Sequence, residues 1–561
     1  MATQLESRRE QMFPKLTPVQ IARLERYGRR VRTTEGQILS EVGDVHRDFI
    51  VILAGELEIT RPGLDGDSVI VVQGAGEFSG EMSTLRGVAS FVRVRVHRAG
   101  EILAISDAGL RTIVQTDSEL MELFMRAFIL RRMGLIQSGQ GDVIIIGSRH
   151  SSGTLRLQQF LTRNATPFIL KDVEEDADSA LLRERFHVEA ADLPVVLCRG
   201  QLILKNPSNA ELAACLGMNP QIDAQHVRDV IVVGAGPAGL AAAVYAASEG
   251  LEVLGIESVA PGGQAGSSSR IENYLGFPTG ISGLALAGRA LVQAQKFGAE
   301  VTVATSALRL RCEQRPFEIE LSGNLSVRGR TVIIASGAQY RPLALDNLGD
   351  YMGQGVYWAA TSVEAKLCGS DPVVVVGGGN SAGQAAIFLA RDGRPVHLLV
   401  RGSGLADSMS RYLIRRIEDN PDITLHTNTE IVALEGRGQL ERVTWRTGAQ
   451  GVPEQQAIRH VFLMTGATPN TGWLQNCVAL DDKGFVLTGP DLHIADPDNA
   501  ADAPDRLQRR WPLSRPPLHL ESSVPGVFAV GDARSGSAKR VAAAVGEGSV
   551  CVQLIHRILN E

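Results

Sequence analysis

The chain has 561 residues, too many for one hydrophobic core and enough for roughly three or four domains. Its formal net charge is −6 and its pI about 6.1, which excludes the global positive field of a nucleic-acid or anionic-membrane partner. The six cysteines, at 198, 215, 312, 368, 477 and 551, include no C-x-x-C, so neither a metal knuckle nor a local dithiol can be written. Scattered cysteines of this kind are expected of a reduced, cytoplasmic chain. No apolar run follows Met1, and no secretion signal is expected. The greasiest stretches, 120–136 and 231–247, are broken by Glu122, Arg126, Arg131 and Arg132 and by Gly-x-Gly-Pro, so neither is expected to span a membrane. The arginine-rich runs 29–32 and 506–510 read as solvated surface.

Residues 10–138 alternate short apolar runs with glycine turns. Phe49 to Leu53, Leu57 to Ile59, Ser68 to Val72 and Phe91 to Val96 predict strands of a small β-roll, and Thr116-x-x-Glu119 predicts a capping box opening a helix through Arg132. Gly43, Ile52-Leu53-Ala54-Gly55-Glu56 and the cassette Gly76-Glu77-Phe78-Ser79-Gly80-Glu81-Met82-Ser83 resemble cyclic-nucleotide-binding domains. In that family an arginine about nine residues after the cassette glutamate neutralises the phosphate. Ser90 stands there, with Arg86 and Arg93 off the pattern, and the charge-assisted contact is missing. The expectation is a retained roll with no cyclic-nucleotide ligand.

Residues 141–220 predict strands at 142–147, 168–170 and 192–197, a helix over 153–161, and a closing helix over 209–216. The order resembles a thioredoxin or glutaredoxin domain. Pro194 stands at that family's cis-proline, and Ser148-Arg149-His150-Ser151-Ser152-Gly153 stands at its C-x-x-C. Without a thiolate there is no exchange chemistry, which leaves docking of a protein partner or spacing as the role.

From Asp229 the pattern changes. Val230 to Val233 is an apolar strand, followed by Gly234-Ala235-Gly236-Pro237-Ala238-Gly239, an alanine-rich helix, and a second strand ending at Glu257. The three glycines permit a tight turn, close approach of a pyrophosphate and close helix packing, and the acid is placed for a ribose diol. The unit repeats. Pro372 to Val376 leads into Gly377-Gly378-Gly379-Asn380-Ser381-Ala382, and the following strand ends at Arg401 rather than an acid, which favours a 2′-phosphate and NADPH, with NADH left open.

This stretch resembles low-molecular-weight thioredoxin reductases. The resemblance lies in Pro261-Gly262-Gly263-Gln264, Ile271-Glu272-Asn273-Tyr274-Leu275-Gly276-Phe277-Pro278, Ala335-Ser336-Gly337-Ala338, Gly466 to Thr471 and Val527-Phe528-Ala529-Val530-Gly531-Asp532. It implies FAD on Gly234, Gly236, Gly239, Glu257, Gly263, Gln264, Asn273, Gly337 and Asp532, with the backbone of Lys539-Arg540-Val541 toward the flavin pyrimidine. It implies NAD(P)H on Gly377, Gly379, Asn380, Ser381, Ala382 and Arg401, and a homodimer. The implied fold class is α/β: a cyclic-nucleotide-binding-like β-roll (10–138), a thioredoxin-like domain (141–220), then an FAD domain (228–345 and 460–561) holding an NAD(P)H domain (346–459), with no metal.

The departures are specific. The family's redox Cys-x-x-Cys aligns with Ala359 and Ser362, so no certain catalytic residue is named, and Trp358 or Tyr357 is a candidate cover for the flavin. In that family the nicotinamide domain rotates because disulfide and nicotinamide compete for one flavin face. A chain without the disulfide has no such need. The leading expectation is an NAD(P)H oxidoreductase delivering electrons to a quinone, another flavoprotein or a protein partner. The alternatives are a flavin redox sensor signalling through the front domains, and thioredoxin reduction through distant cysteines. Residues 491–518 read as an inserted loop.

Overall fold

The computed structural model describes residues 9–42, 44, 48–63, 66–79, 90, 92–137, 143–174, 188–198, 202–474, 477–492 and 511–561. Gly43, most of the cassette after Ser79, Arg86 and most of the 491–518 insertion lie outside them. The chain divides into two compact units, one of residues 1–148 and 160–220, the other of 149–159 and 221–561. Among the described residues no helix is long and apolar enough to cross a membrane.

In the first unit, antiparallel strands run in the order Gly28–Thr33, Arg93–Ile105, Phe49–Gly63, Gly66–Gly74. Helix Ser118–Gln137 closes the roll by placing Phe124 4.8 Å from Phe49 and 4.9 Å from Phe78, ring to ring, all three without exposed surface. The capping box expected at Thr116 is not formed. Thr116 ends the preceding helix Asp107–Thr116, and its hydroxyl donates to the Thr112 carbonyl; extended Asp117 is the cap, accepting from the Leu120 amide at 3.1 Å. Glu119 instead accepts from Gln20 and Arg23, each at 2.7 Å. Ser90 is buried, its hydroxyl donating to the Val92 carbonyl at 2.7 Å, so the residue at the arginine position is turned into the roll's own backbone.

A four-stranded sheet follows, ordered Leu202–Lys205, Val195–Cys198, Val143–Gly147, Phe168–Asp172, with the last pair parallel and the others antiparallel. The Leu193–Pro194 peptide is cis. Helix Asn209–Cys215 follows the sheet in the chain, started by a Ser208/Glu211 capping box. Cys198, at a strand end, is bonded to Cys215, at a helix end. Cys312 is bonded to Cys477, 165 residues away. Both pairs correct the expectation of a fully reduced chain, and tertiary contact, which spacing does not report, is the reason.

The second unit holds two parallel sheets. The larger runs Glu300–Thr302, Val253–Ile256, Val227–Val233, Leu325–Ile334, with Val527–Ala529 also parallel to Leu325–Ile334 and two antiparallel strands at the edge. Strands buried on both faces are nearly continuous in valine and isoleucine because helices Pro237–Ser248 and Val541–Leu559 cover one side, and strands Ala307–Arg311 and Phe317–Leu321 with the 474–486 segment cover the other. The smaller sheet runs Val356–Tyr357, His460–Leu463, Val373–Val376, Val396–Leu399, Ile423–His426. An antiparallel ribbon, Ala338–Tyr340 with Ala467–Pro469, carries the chain from the first sheet to the second and back. Each sheet ends, at the carboxyl edge of its central strand, in a glycine turn.

Candidate functional site: two glycine turns and a missing disulfide

The first turn is built by close packing. Gly234 has φ +106°, and a Cβ there would stand 2.2 Å from the Ala335 carbonyl oxygen; one on Gly239 would stand 1.8 Å from the Gly234 oxygen. Gly236 is different: a Cβ would meet nothing nearer than the Gly263 Cα at 3.9 Å. Two glycines therefore serve packing, and the middle one keeps a surface open at the start of helix Pro237–Ser248, whose first turn has no side-chain cap and no acid. Uncapped amides beside an open glycine suit a diphosphate.

Other expected residues collect here. Gly262 N donates to the Ala235 carbonyl at 2.7 Å, bringing Gly263 and Gln264 onto the turn. Glu257, almost fully buried, accepts from the Ala235, Val259 and Ala260 amides, which leaves part of its carboxylate's acceptor capacity for a diol. Asp532 lies in a short turn after Val527–Ala529, and a Cβ on its neighbour Gly531 would stand 2.9 Å from the Ala238 methyl, so this turn abuts the glycine helix. Burial pushes the Asp532 carboxyl up, against the opposing pull of Lys539. Lys539 Nζ donates to the Asp532 carbonyl at 2.8 Å and lies over the Phe485 ring. Arg540 precedes helix Val541–Leu559, a second uncapped helix start. Gly337, at φ +67°, accepts from the Asn470 amide, while Asn273 is exposed on the loop between Ile271 and Ile281.

The second turn repeats the logic. Gly377 has φ +142° with a Cβ position 2.3 Å from the Met464 carbonyl oxygen, whereas Gly379 faces open space at the start of helix Asn380–Leu389. Ala382 is buried and Ser381 exposed. The Asn380 side chain is already engaged: its Oδ1 accepts from the Ser410 amide at 2.8 Å, and Ser408 donates to the Gly378 carbonyl at 2.8 Å. These two serines were not singled out by sequence; they stiffen the turn from the 401–410 loop. Arg401 is exposed just beyond Val396–Leu399, where a 2′-phosphate would meet it.

The positions expected for a redox disulfide follow strand Val356–Tyr357 of the second sheet. Ala359 is half-buried, and exposed Ser362 begins helix Ser362–Leu367, capped by Thr361 with Glu364. Trp358 stacks on Tyr340, ring centroids 6.5 Å apart at 11°, and burial pushes the Tyr340 hydroxyl up. Tyr357, the other candidate cover, is not available for that role: it is 5% exposed and packs on Phe462 and His460, because in strand Val356–Tyr357 its side chain falls on the core face. Cys368 is buried, its sulfur donates to the Glu364 carbonyl, and burial pushes its thiol up to about 12. Cys551 is wholly buried and likewise pushed well up.

Residues 228–498 match the family described as pyridine nucleotide-disulphide oxidoreductase, and residues 30–117 match the cyclic nucleotide-binding domain. The thioredoxin reductase of Bacillus subtilis (strain 168) is 30% identical over 338 residues, 60% of this chain and 96% of that protein. The chain belongs to the thioredoxin reductase family. NADPH-dependent thioredoxin reductase 3 of Arabidopsis thaliana is also 30% identical over 60% of this chain, which spans only 59% of that protein's length. The crystal structure of T. acidophilum thioredoxin reductase superposes with a TM-score of 0.52 at 26% identity, covering 60% of this chain and all of that one. Membership makes this an NAD(P)H-dependent oxidoreductase by family.

Proposed function

We propose that the chain is an FAD-dependent NADPH oxidoreductase that delivers electrons to a non-disulfide acceptor such as a quinone, another flavoprotein or a protein partner. The observation that carries this reading is Ala359 and Ser362 at the redox-cysteine positions, with the free thiols Cys368 and Cys551 buried and held protonated. In this reading the FAD domain is 228–345 with 460–561, and 346–459 holds the nicotinamide nucleotide. Bound together, the two cofactors supply hydride transfer from nicotinamide to flavin.

The protein's part is orientation. Gly236 and the N–H groups of Ala238 and Gly239 receive the flavin diphosphate, Glu257 the ribose diol, and the Asp532 turn the ribityl side. Gly379 and the amides after it receive the nicotinamide diphosphate, and Arg401 the 2′-phosphate. The test is anaerobic titration with NADPH and NADH followed by an acceptor screen. Bleaching of one flavin per chain and turnover with quinones, but not with thioredoxin, is the expected result. The β-roll carries no ligand in this account, and homodimerisation follows the family resemblance.

A further inference from the structure

We propose that Glu547 and Arg534 are positioning residues for the flavin: a buried carboxylate–guanidinium pair that sets the Asp532 turn and helix Val541–Leu559 as one unit, so that their ribityl and pyrimidine contacts are made together. This deepens the FAD reading above and rests on it.

Three elements expected at the flavin meet at Ala238, in the first turn of helix Pro237–Ser248. A Cβ on Gly531 would stand 2.9 Å from the Ala238 methyl, and one on Gly548 would stand 2.3 Å from the Ala238 carbonyl oxygen. The turn and the long helix therefore both reach the glycine helix at a distance only glycine allows. The close approach at Gly548 places its neighbour Glu547 against the turn. There Glu547 Oε2 accepts from the Gly531 amide at 2.7 Å, and Oε1 accepts from Arg534 Nη2 at 2.7 Å. Arg534 Nε also reaches Oε2, at 3.3 Å, so the guanidinium meets the carboxylate as a fork. One side chain of the helix thus holds both ends of residues 531–534. From the other side, Ser535 donates to Asp481 Oδ2 at 2.7 Å, which fixes the exit of the turn.

The pair is placed to matter. The side chains of Arg534 and Glu547 are 11% and 15% exposed, and a charge so far out of water depends on its partner. Asp532 lies in the same turn, its carboxyl pushed up by burial, lowered by Lys539 and raised again by the Glu547 charge. Two acids share this corner. Arg534 supplies the cation that lets Glu547 anchor the turn without leaving a bare charge behind Asp532.

FAD release from the full-length holoprotein on dilution, read by flavin fluorescence, and the thermal midpoint in excess FAD would compare the wild type with Glu547→Ala, Arg534→Ala, the double variant and Arg534→Lys. Arg228→Ala is the control: it removes a buried guanidinium, paired with Glu300, at the start of strand Val227–Val233 and so away from the glycine turn at its carboxyl end. Each single alanine variant is expected to release FAD about tenfold faster or more. The double variant should be no faster than the faster single one, because the two groups act as a unit. Arg534→Lys, which keeps the charge and loses the fork, should fall between. Arg228→Ala should lower the midpoint and leave release within about twofold of the wild type. If Glu547→Ala does not fold, Glu547→Gln, which keeps an oxygen for the Gly531 amide, takes its place in the comparison. Release within about twofold of the wild type in both single variants overturns the proposal. So does a double variant at the product of the singles, or Arg228→Ala releasing as fast as Arg534→Ala. A wild type that holds no FAD and takes up none overturns the FAD reading, and the proposal with it.

Discussion

Ser336 and Asn470, 134 residues apart, clasp each other: the serine hydroxyl donates to the Asn470 carbonyl at 2.7 Å, and the asparagine amide donates to the Ser336 carbonyl at 3.0 Å. The Asn470 backbone amide adds a third bond, to the Gly337 carbonyl. The clasp closes the two chain segments of the flavin half just where the connecting ribbon leaves it.

Asn470→Ala is therefore expected to weaken this closure by about 1–3 kcal/mol, since it leaves the Ser336 carbonyl without its donor. Thermal unfolding should show a midpoint lower by a few degrees, roughly 2–8 °C, with faster release of flavin absorbance on dilution. An unchanged midpoint and unchanged flavin retention would mean the clasp is incidental.

Glycine substitutions should separate packing from binding. Gly239→Ala forces a Cβ to 1.8 Å from a backbone oxygen, so little folded, yellow protein is expected. Gly379→Ala meets nothing within 4 Å and should fold with its flavin. Steady-state kinetics should then show a KM for NADPH raised about tenfold or more, because the methyl stands where the diphosphate has to approach.

Arg401 is the cation expected at the 2′-phosphate. Arg401→Ala is expected to raise the KM for NADPH about tenfold while leaving that for NADH within about twofold, a loss of one charge-assisted contact. Equal effects on both nucleotides would contradict its assigned role.

Burial holds the His460 imidazole down to about 4, with Asp371 pulling the other way. The folded state resists a proton that the unfolded chain binds below about 6.5, so stability is whole at neutral pH and falls as pH drops from about 6.5 toward 4. His397 and His426, 3.1 Å apart and both lowered by burial, act in the same direction. Comparing unfolding midpoints at pH 7 and pH 5 for the wild type and His460→Gln should show a smaller acid-induced drop in the variant.

Much of the flavin and nicotinamide halves was legible because their signals are local. A strand, a glycine turn and a helix start lie within about fifteen residues, and Gly239 is required by a backbone contact to Gly234 inside that unit, although Gly234 and Gly377 are required by the distant Ala335 and Met464 carbonyls. What stayed hidden is long-range or competitive. Cys312–Cys477, Ser336–Asn470 and Glu272–Arg416 join residues 134 to 165 apart, and no spacing rule reports them. The Thr116 cap failed because Asp117 is the residue that breaks the backbone, and two adjacent cap formers cannot be ranked by pattern alone. Tyr357 ends a two-residue strand and Trp358 follows it, and only the pairing of that strand decides that the tyrosine ring is core. Asn380 sits in the second glycine motif, yet its amide holds the 401–410 loop, a partnership visible only once Ser410 is folded against it.

The central claim is that electrons enter as in a thioredoxin reductase and do not leave through thiols. The most direct measurement is NADPH oxidation by the purified holoprotein in which Cys368 and Cys551 are both replaced by alanine, with a benzoquinone in one arm and oxidised thioredoxin in the other. The account predicts quinone turnover unchanged from the wild type, and no thioredoxin reduction by either protein. Thioredoxin reduction by the wild type that is lost in the double variant would contradict it.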